Sequence, residues 1–268
     1  MSISVIIVNY NTGTMLAEVV QTVLSDDSID EILVVDNNSH DNSMSLLSTN
    51  KKVKKYFRSK NSGFANSCNF AAHKAKGDYL IFLNPDCYVE KNSIKYLVTE
   101  LKDNYNAGII GCLVKNPDGS EQRATRRRLP SLWRTIKTVS KIENFASYCS
   151  CFAGVNLNHQ NMPTQTIQVE SISGAIIVMK DDVFNQIGGF DEKFTLHFED
   201  LDLFKRTSDA GFKLLFNPLV TVVHHQGTSS LTNPDVKKLK KKGLIRYFKK
   251  HESKLSYNLI RLIIKVLP

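Results

Sequence analysis

The order of strand and helix signals predicts an α/β fold: a mostly parallel sheet flanked by helices and followed by a basic helical tail. Three observations predict it. Short β-branched apolar runs without polar alternation recur through the first 115 residues, segments of helical periodicity separate them, and several runs close on clusters of Asn and Asp. A strand covered by helices on both faces reads as an unbroken apolar run, because neither face meets water.

The elements follow in order. Ile3 to Val8 is a strand that meets Asn9-Tyr10-Asn11. Thr14 to Leu24 reads as a helix, with Leu16, Val19, Val20 and Val23 on one face. Glu31 to Val35 is a second strand, ending at Asp36-Asn37-Asn38-Ser39, and Asp41 to Leu47 is expected to be helical. Val53 to Phe57, Ser62 to Ala75 and Tyr79 to Leu83 continue as strand, helix and strand, the last stopping at Asn84-Pro85-Asp86. Asn92 to Leu101 is a helix and Gly108 to Val114 a strand. Residues 116–168 lose the rhythm and read as a long excursion over one face, holding Arg123, Arg126, Arg127, Arg128 and Trp133. Val169 to Met179 is expected to be one strand containing Ser173-Gly174-Ala175. The helix Lys180 to Gln186 ends at Gly188-Gly189, and the helix Glu199 to Ala210 ends at Gly211, a left-handed cap. Phe212 to Phe216 and Leu219 to Val223 are two further strands. The organisation is therefore one domain over 1–234, with halves 1–115 and 116–234, and a basic amphipathic tail over 235–268.

With 268 residues, 42% of them hydrophobic, the chain can bury a sizeable core. Its five cysteines are odd in number and contain no C-x-x-C pair, so a reducing compartment is expected. The N-terminus lacks the basic region of a signal peptide, and no apolar run approaches the roughly 18 residues of a spanning helix. The net charge of +9 is unevenly placed: residues 237–268 carry eleven Lys and Arg against the single acid Glu252, so the remainder is nearly neutral. That argues against a nucleic-acid-binding body and for a tail that meets an anionic membrane surface, the alternative being a C-terminal helix that packs on the body with a solvated lysine face.

The polar clusters stand where ligands bind in open α/β sheets, at the carboxyl ends of strands. Asp36 can accept hydrogen bonds from a base or ribose, although Asp-Asn-Asn-Ser is also strong turn chemistry. Asp86 can hold a divalent cation against a diphosphate, although Asn-Pro also favours a turn. Asn61-Ser62-Gly63-Phe64-Ala65 and Asn69 open a helix whose free N–H groups suit phosphates or sugar hydroxyls. Glu199, Asp200 and Asp202 crowd one helical first turn behind Phe194, Leu196 and Phe198, which points to partial burial and a general base. His224 ends the last strand and is either a metal ligand or a satisfied surface residue.

Together these segments resemble family 2 glycosyltransferases of the GT-A fold, in particular bacterial rhamnosyltransferase-like members that extend lipid-linked glycans. The resemblance rests on Val5–Asn11, Val35–Ser39, Asn61–Ala65, Phe82–Asp86, Ser173–Ala175, Gly188–Glu192, His197–Asp202 and His224–Ser229, in the family's order. It implies a nucleotide-sugar-binding half over 1–115 and an acceptor and catalytic half over 116–234. It implies donor contacts from Asn9, Asn11, Asp36, Asn38, Asn61, Gly63, Phe64, Asn69, Asn84, Asp86 and Gly174. Asp200 would be the catalytic base, with Glu199 holding the acceptor, and Asp86 with His224 would hold Mg²⁺ or Mn²⁺. Asn84 departs from the first acid of the family's D-x-D motif, which leaves one fewer negative charge for a cation. The implied reaction is inverting transfer, with dTDP-L-rhamnose or a UDP-sugar as donor and a glycan or lipid-linked glycan as acceptor, at the cytoplasmic face of a membrane. Two other classes compete. A sugar nucleotidyltransferase would carry a basic Gly-rich loop where Asn9–Thr14 stands, and a non-catalytic basic binding protein would need no ordered acids.

Overall fold

The computed structural model describes residues 1–225 and 234–266. The first half runs β1 (Ile3–Asn9), α1 (Met15–Leu24), β2 (Glu31–Asp36), β3 (Val53–Phe57), α2 (Phe64–Ala72), β4 (Tyr79–Leu83), β5 (Cys87–Val89), α3 (Ser93–Asp103) and β6 (Ala107–Lys115). The second half runs β7 (Arg126–Arg127), α4 (Leu132–Val139), β8 (Ile167–Val169), β9 (Ser171–Ile172), β10 (Ile176–Lys180), α5 (Asp181–Gln186), α6 (Glu199–Asp209) and β11 (Lys213–His224). Two helices, α7 (Pro234–His251) and α8 (Lys254–Val266), follow.

The main sheet has the order β3-β2-β1-β4-β10-β6-β11-β5, with β8 added to β11. β3, β2, β1 and β4 are parallel, as are β6 and β11, while β10, β5 and β8 pair antiparallel to their neighbours. Every residue of β1, β2 and β4 is buried, which is what their unbroken apolar runs require. One apolar layer, under α1 and α3, includes Leu16, Val19, Leu97 and Leu101; the other includes Ala65, Phe184, Phe190, Leu203 and Phe204 from α2, α5, α6 and the turn between them.

Three expectations change, and one strand is new. Asp41 to Leu47 forms only a 3₁₀ turn at Ser43–Ser45, because Asp41 Oδ1 takes hydrogen bonds from the Ser43 amide and hydroxyl and so competes with helical bonding. The single strand expected over 169–179 breaks into β8, β9 and β10. β9 turns aside to pair with β7, and at the break the Ala175 amide donates to Ser173 Oγ. The two strands expected around Pro218 are one, β11, with a bulge between Asn217 and Thr221 where Pro218 has no N–H; Asn217 Oδ1 accepts the Leu219 and Val220 amides instead. β5 is three residues long, too short to read from sequence, and pairs with the end of β11.

The basic tail also differs from an appendix. Leu244, Tyr247, Phe248, Ile260 and Ile264 are buried in the second apolar layer, so α7 and α8 pack on the body. Asp191 pairs with Arg246 and Lys250, and the fully buried Asp202 pairs with Arg206, Lys250 and His251. No described helix is long and apolar enough to cross a membrane. The outward face of α8 carries Leu255, Leu259 and Leu262 in the open.

Candidate active site

The parallel register of β1 and β2 sets Asn9 opposite Asp36 at the carboxyl edge of the sheet. Asn9 is fully buried, and its amide donates to Asp36 Oδ1 (2.8 Å) and Ser43 Oγ (2.8 Å). It therefore holds Asp36 in place. Asp36 Oδ2 accepts the Ser39 amide. Asn11 and Asn38 both take positive φ (53° and 65°), which Asn tolerates well, and Asn11 Oδ1 accepts the His40 amide to join the two strand-end loops.

Asn37, a residue given no role above, is buried. It donates to Asn61 Oδ1 (2.8 Å) and accepts from the Ser62 amide and Ser67 hydroxyl, tying the start of α2 to the end of β2. Gly63 has φ 87°, and a Cβ there would stand 3.2 Å from the Thr195 carbonyl oxygen. Phe64 meets the Phe190 ring edge-on. Asn69 brackets the backbone of Phe190 and reaches Glu192, so it secures the Gly188–Glu192 turn.

The β5–β11 pairing sets His224 opposite Cys87, and this brings His224 onto Asp86. His224 Nε2 lies 3.0 Å from Asp86 Oδ1 and 3.2 Å from Asn84 Nδ2. Its Nδ1 lies 2.9 Å from Gln122 Oε1. Gln122 Nε2 donates to the His224 carbonyl and to Asn116 Oδ1, which fixes Oε1 as the acceptor at the ring. Nδ1 thus carries the hydrogen, and on a neutral ring Nε2 presents a lone pair toward a carboxylate oxygen. Two acceptors at that spacing call for a proton or a cation between or beside them. Among the described residues no three His, Cys, Asp or Glu side chains gather, so a cation here would draw its other ligands from elsewhere. Gln122 belongs to the excursion over 116–168, where no sequence period could have singled it out.

Asp200, in the first turn of α6, reaches the same region through the Ser173–Ala175 break. A Cβ on Gly174 would meet Asp200 Oδ2 at 3.0 Å, and the next carbonyl, of Ala175, accepts the Asn84 amide at 2.9 Å. Asp200 Oδ2 is also 2.9 Å from an Arg127 nitrogen, which donates as well to the Ile172 carbonyl. The neighbouring arginines 126 and 127 divide their work: Arg126 is buried and binds Glu121 and the carbonyls of Gln160 and Asn161, while Arg127 faces Asp200. Glu199 is buried beside Asp200, and among the described residues its Oε2 has no hydrogen-bond partner. Burial, then the Asp200 charge, push its pKa up to about 8, so its carboxyl is largely protonated at neutral pH. Asp202 points away from this pair toward α7, where its contacts with His251, Lys250 and Arg206 outweigh burial and hold its pKa below the ordinary range. The Gln226–Ser229 part of the last motif lies outside the described residues.

Asn84, Asp86 and His224 thus form one hydrogen-bonded group, Asp200 with Arg127, Glu199 and Gly174 a second, and the Gly174–Ala175 backbone links the two, with Asp36 at the carboxyl end of β2. Residues 4–159 match the family model for glycosyl transferase family 2. The chain is 29% identical over 159 residues to N-acetylglucosaminyl-diphospho-decaprenol L-rhamnosyltransferase of Mycobacterium tuberculosis, covering 59% of this chain and 50% of that one. It is 22% identical over 174 residues to the rhamnosyltransferase WbbL of Escherichia coli, covering 61% of each. The chain thus spans about half the length of the first of these relatives. Among solved structures, GalNAc-T7 with UDP, GalNAc and Mn²⁺ superposes with a TM-score of 0.68 at 18% identity, over 93% of this chain and 48% of that one, which shows a shared fold of the GT-A type. By its matched domain, its order of motifs and its fold, this chain belongs to glycosyl transferase family 2.

Proposed function

We propose that the protein is an inverting glycosyltransferase that moves a sugar, L-rhamnose from dTDP-L-rhamnose before a hexose from a UDP-sugar, onto a hydroxyl of a glycan or lipid-linked glycan. The observation that supports the reading is the short path Asp200–Gly174–Ala175–Asn84, which connects the Asp200 carboxylate to the Asn84–Asp86–His224 group. The similarity to rhamnosyltransferases supports the choice of sugar.

In this reading Asp36, near the ends of β1 and β2, contacts the base or ribose, with Asn11, Asn38, Asn61, Gly63 and Phe64 lining the donor side. Asp200 removes the proton from the acceptor hydroxyl, whose oxygen attacks the anomeric carbon from the face opposite the leaving diphosphate. One base and one displacement invert the configuration. Arg127 holds Asp200 in place, and the protonated Glu199 can donate a hydrogen bond to a sugar hydroxyl. Asp86 and His224 Nε2 fit a Mg²⁺ or Mn²⁺ ion, an assignment supported by the Mn²⁺ in the GalNAc-T7 structure. Such an ion would offset negative charge on the diphosphate. The open leucines of α8, flanked by Lys254, Arg261 and Lys265, support peripheral attachment to an anionic membrane at its cytoplasmic face.

Transfer from a panel of nucleotide sugars, read as nucleoside diphosphate released with acceptor present, tests this. Asp200→Asn should lower turnover by at least about a hundredfold while nucleotide binding stays within about twofold of the parent. Retained turnover would remove Asp200 from its role, and pyrophosphate formed from a nucleoside triphosphate would indicate a nucleotidyltransferase.

A further inference from the structure

A single side chain decides which nitrogen of His224 presents a lone pair to the Asn84–Asp86 turn. Gln122 is buried, just past the point where Lys115 bridges antiparallel to Glu121. Its backbone is held on both sides. The amide donates to the Val114 carbonyl (2.9 Å), and the carbonyl accepts the Thr125 amide (2.9 Å) and the Asn158 side chain (3.2 Å). The side chain is held as firmly: Nε2 donates to the His224 backbone carbonyl (3.1 Å) and to Asn116 Oδ1 (3.1 Å). A backbone carbonyl can only accept, so the Gln122 amide cannot be turned over. Oε1 is left to face His224 Nδ1 at 2.9 Å.

One glutamine thus grips the ring and the backbone of the same histidine. An oxygen that only accepts draws the imidazole hydrogen to Nδ1, and the neutral ring then carries its lone pair on Nε2. That lone pair lies 3.0 Å from Asp86 Oδ1, and Asn84 Nδ2, a donor, stands 3.2 Å from it. A donor in place of Gln122 Oε1 would move the hydrogen to Nε2, where Asp86 would accept it. Ring and carboxylate would then satisfy each other, and neither would be open to a cation. With Gln122 in place they cannot, so two electron-pair donors are kept side by side at a buried position. Such an arrangement is unfavourable for the pair alone and has to be imposed from outside it. Gln122 is the group that imposes it.

Resting on the glycosyltransferase reading, we propose that Gln122 is a positioning residue for the cation site. It fixes the tautomer and the orientation of His224, so that Nε2 together with Asp86 can hold the Mg²⁺ or Mn²⁺ that accompanies the donor diphosphate. Gln122 itself touches neither the donor nor the cation and acts only through the ring. By sequence it belongs to the 116–234 half, yet it serves the donor side.

Two measurements on the full chain test this. Long-range ¹H–¹⁵N correlation of the imidazoles, in metal-free protein at about pH 8 where an ordinary imidazole is neutral, reads the tautomer. His224→Gln identifies the ring among the seven histidines. The parent should carry the His224 hydrogen on Nδ1. A parent ring with a hydrogen on Nε2 would overturn the proposal whatever the variants do.

Calorimetric titration with the nucleoside diphosphate that the parent binds, dTDP or UDP, with and without Mn²⁺, reads the gain in nucleotide affinity that the cation brings. Gln122→Leu removes both the acceptor and the donor. It should cut that gain by about tenfold or more, the range for losing a group that orients a metal ligand, and leave the metal-free nucleotide affinity within about twofold. Gln122→Glu keeps an acceptor at Nδ1 and loses the amide donor. It should restore the gain to within about threefold of the parent, although its Tm falls together with that of Gln122→Leu. A merely structural role would make the gain follow Tm, both variants losing it equally; that result would overturn the proposal, as would an unchanged gain in Gln122→Leu. So would a parent that binds nucleotide and shows no gain from Mn²⁺. A parent that binds no nucleotide fails the glycosyltransferase reading instead, and the tautomer measurement still decides whether Gln122 governs the ring.

Discussion

Glu199→Gln offers the most direct test of the electrostatics of the site. In the folded chain the Glu199 pKa stands at about 8, against 4.5 for a free glutamate, because burial and the neighbouring Asp200 charge disfavour ionisation. The unfolded chain ionises near 4.5, so unfolding becomes easier as pH rises through that value and continues to do so until about 8. The stability associated with the neutral carboxyl is fully present below 4.5 and is lost across this window. Each pH unit inside the window is worth about 1.4 kcal/mol, so between about pH 5 and pH 7.5 the parent loses up to about 3 kcal/mol that the uncharged Gln variant does not lose. For a chain of this size that corresponds to roughly 5–10 °C in Tm. Differential scanning of both proteins across the range, plotted as the difference in Tm against pH, isolates Glu199 because the other groups titrate in both. Any penalty for burying the Gln amide shifts the difference by a constant and leaves its slope untouched. A difference that stays flat between pH 5 and 7.5 would refute the buried, protonated assignment.

Two further outcomes follow from the packing. Asp202→Asn alters the fully buried carboxylate that Arg206, Lys250 and His251 all contact, and should lower stability by about 3–5 kcal/mol, measured by urea denaturation; a loss below about 1 kcal/mol would mean these contacts do not depend on its charge. Replacing Leu255, Leu259 and Leu262 together by Ser should leave Tm nearly unchanged, since all three are open to solvent, but should reduce sedimentation with vesicles containing phosphatidylglycerol by at least about fivefold. Equal sedimentation of parent and variant would retire the membrane contact through α8.

These tests reach features of unequal legibility. The strand ends Asp36 and Asp86 could be found because each closes an unbroken apolar run, and the acids of α6 because a helical first turn so rich in carboxylates demands a reason. Arg127 stood within a visible basic run, yet nothing local distinguished it from the buried Arg126 before it. Gln122 and Asn37 gave no signal, since a glutamine in an irregular segment and an asparagine in a turn are ordinary by composition. The lysine-rich tail read as a free amphipathic surface because periodicity shows that a helix has an apolar face but not what covers it; here the body covers that of Leu244, Tyr247 and Phe248.

By itself the sequence determined the α/β class, the strand-end positions of the polar clusters and the capped helix behind the acidic turn, because periodicity and strand termination are local properties of the chain. Only the tertiary structure decided that Asp202 faces α7 while Asp200 faces Arg127 and Gly174, and that a three-residue strand brings His224 onto Asp86. Those outcomes depend on which distant segments share the same few ångströms, and burial, charge pairing and close backbone approach become fixed only when the sheet and its helices have packed.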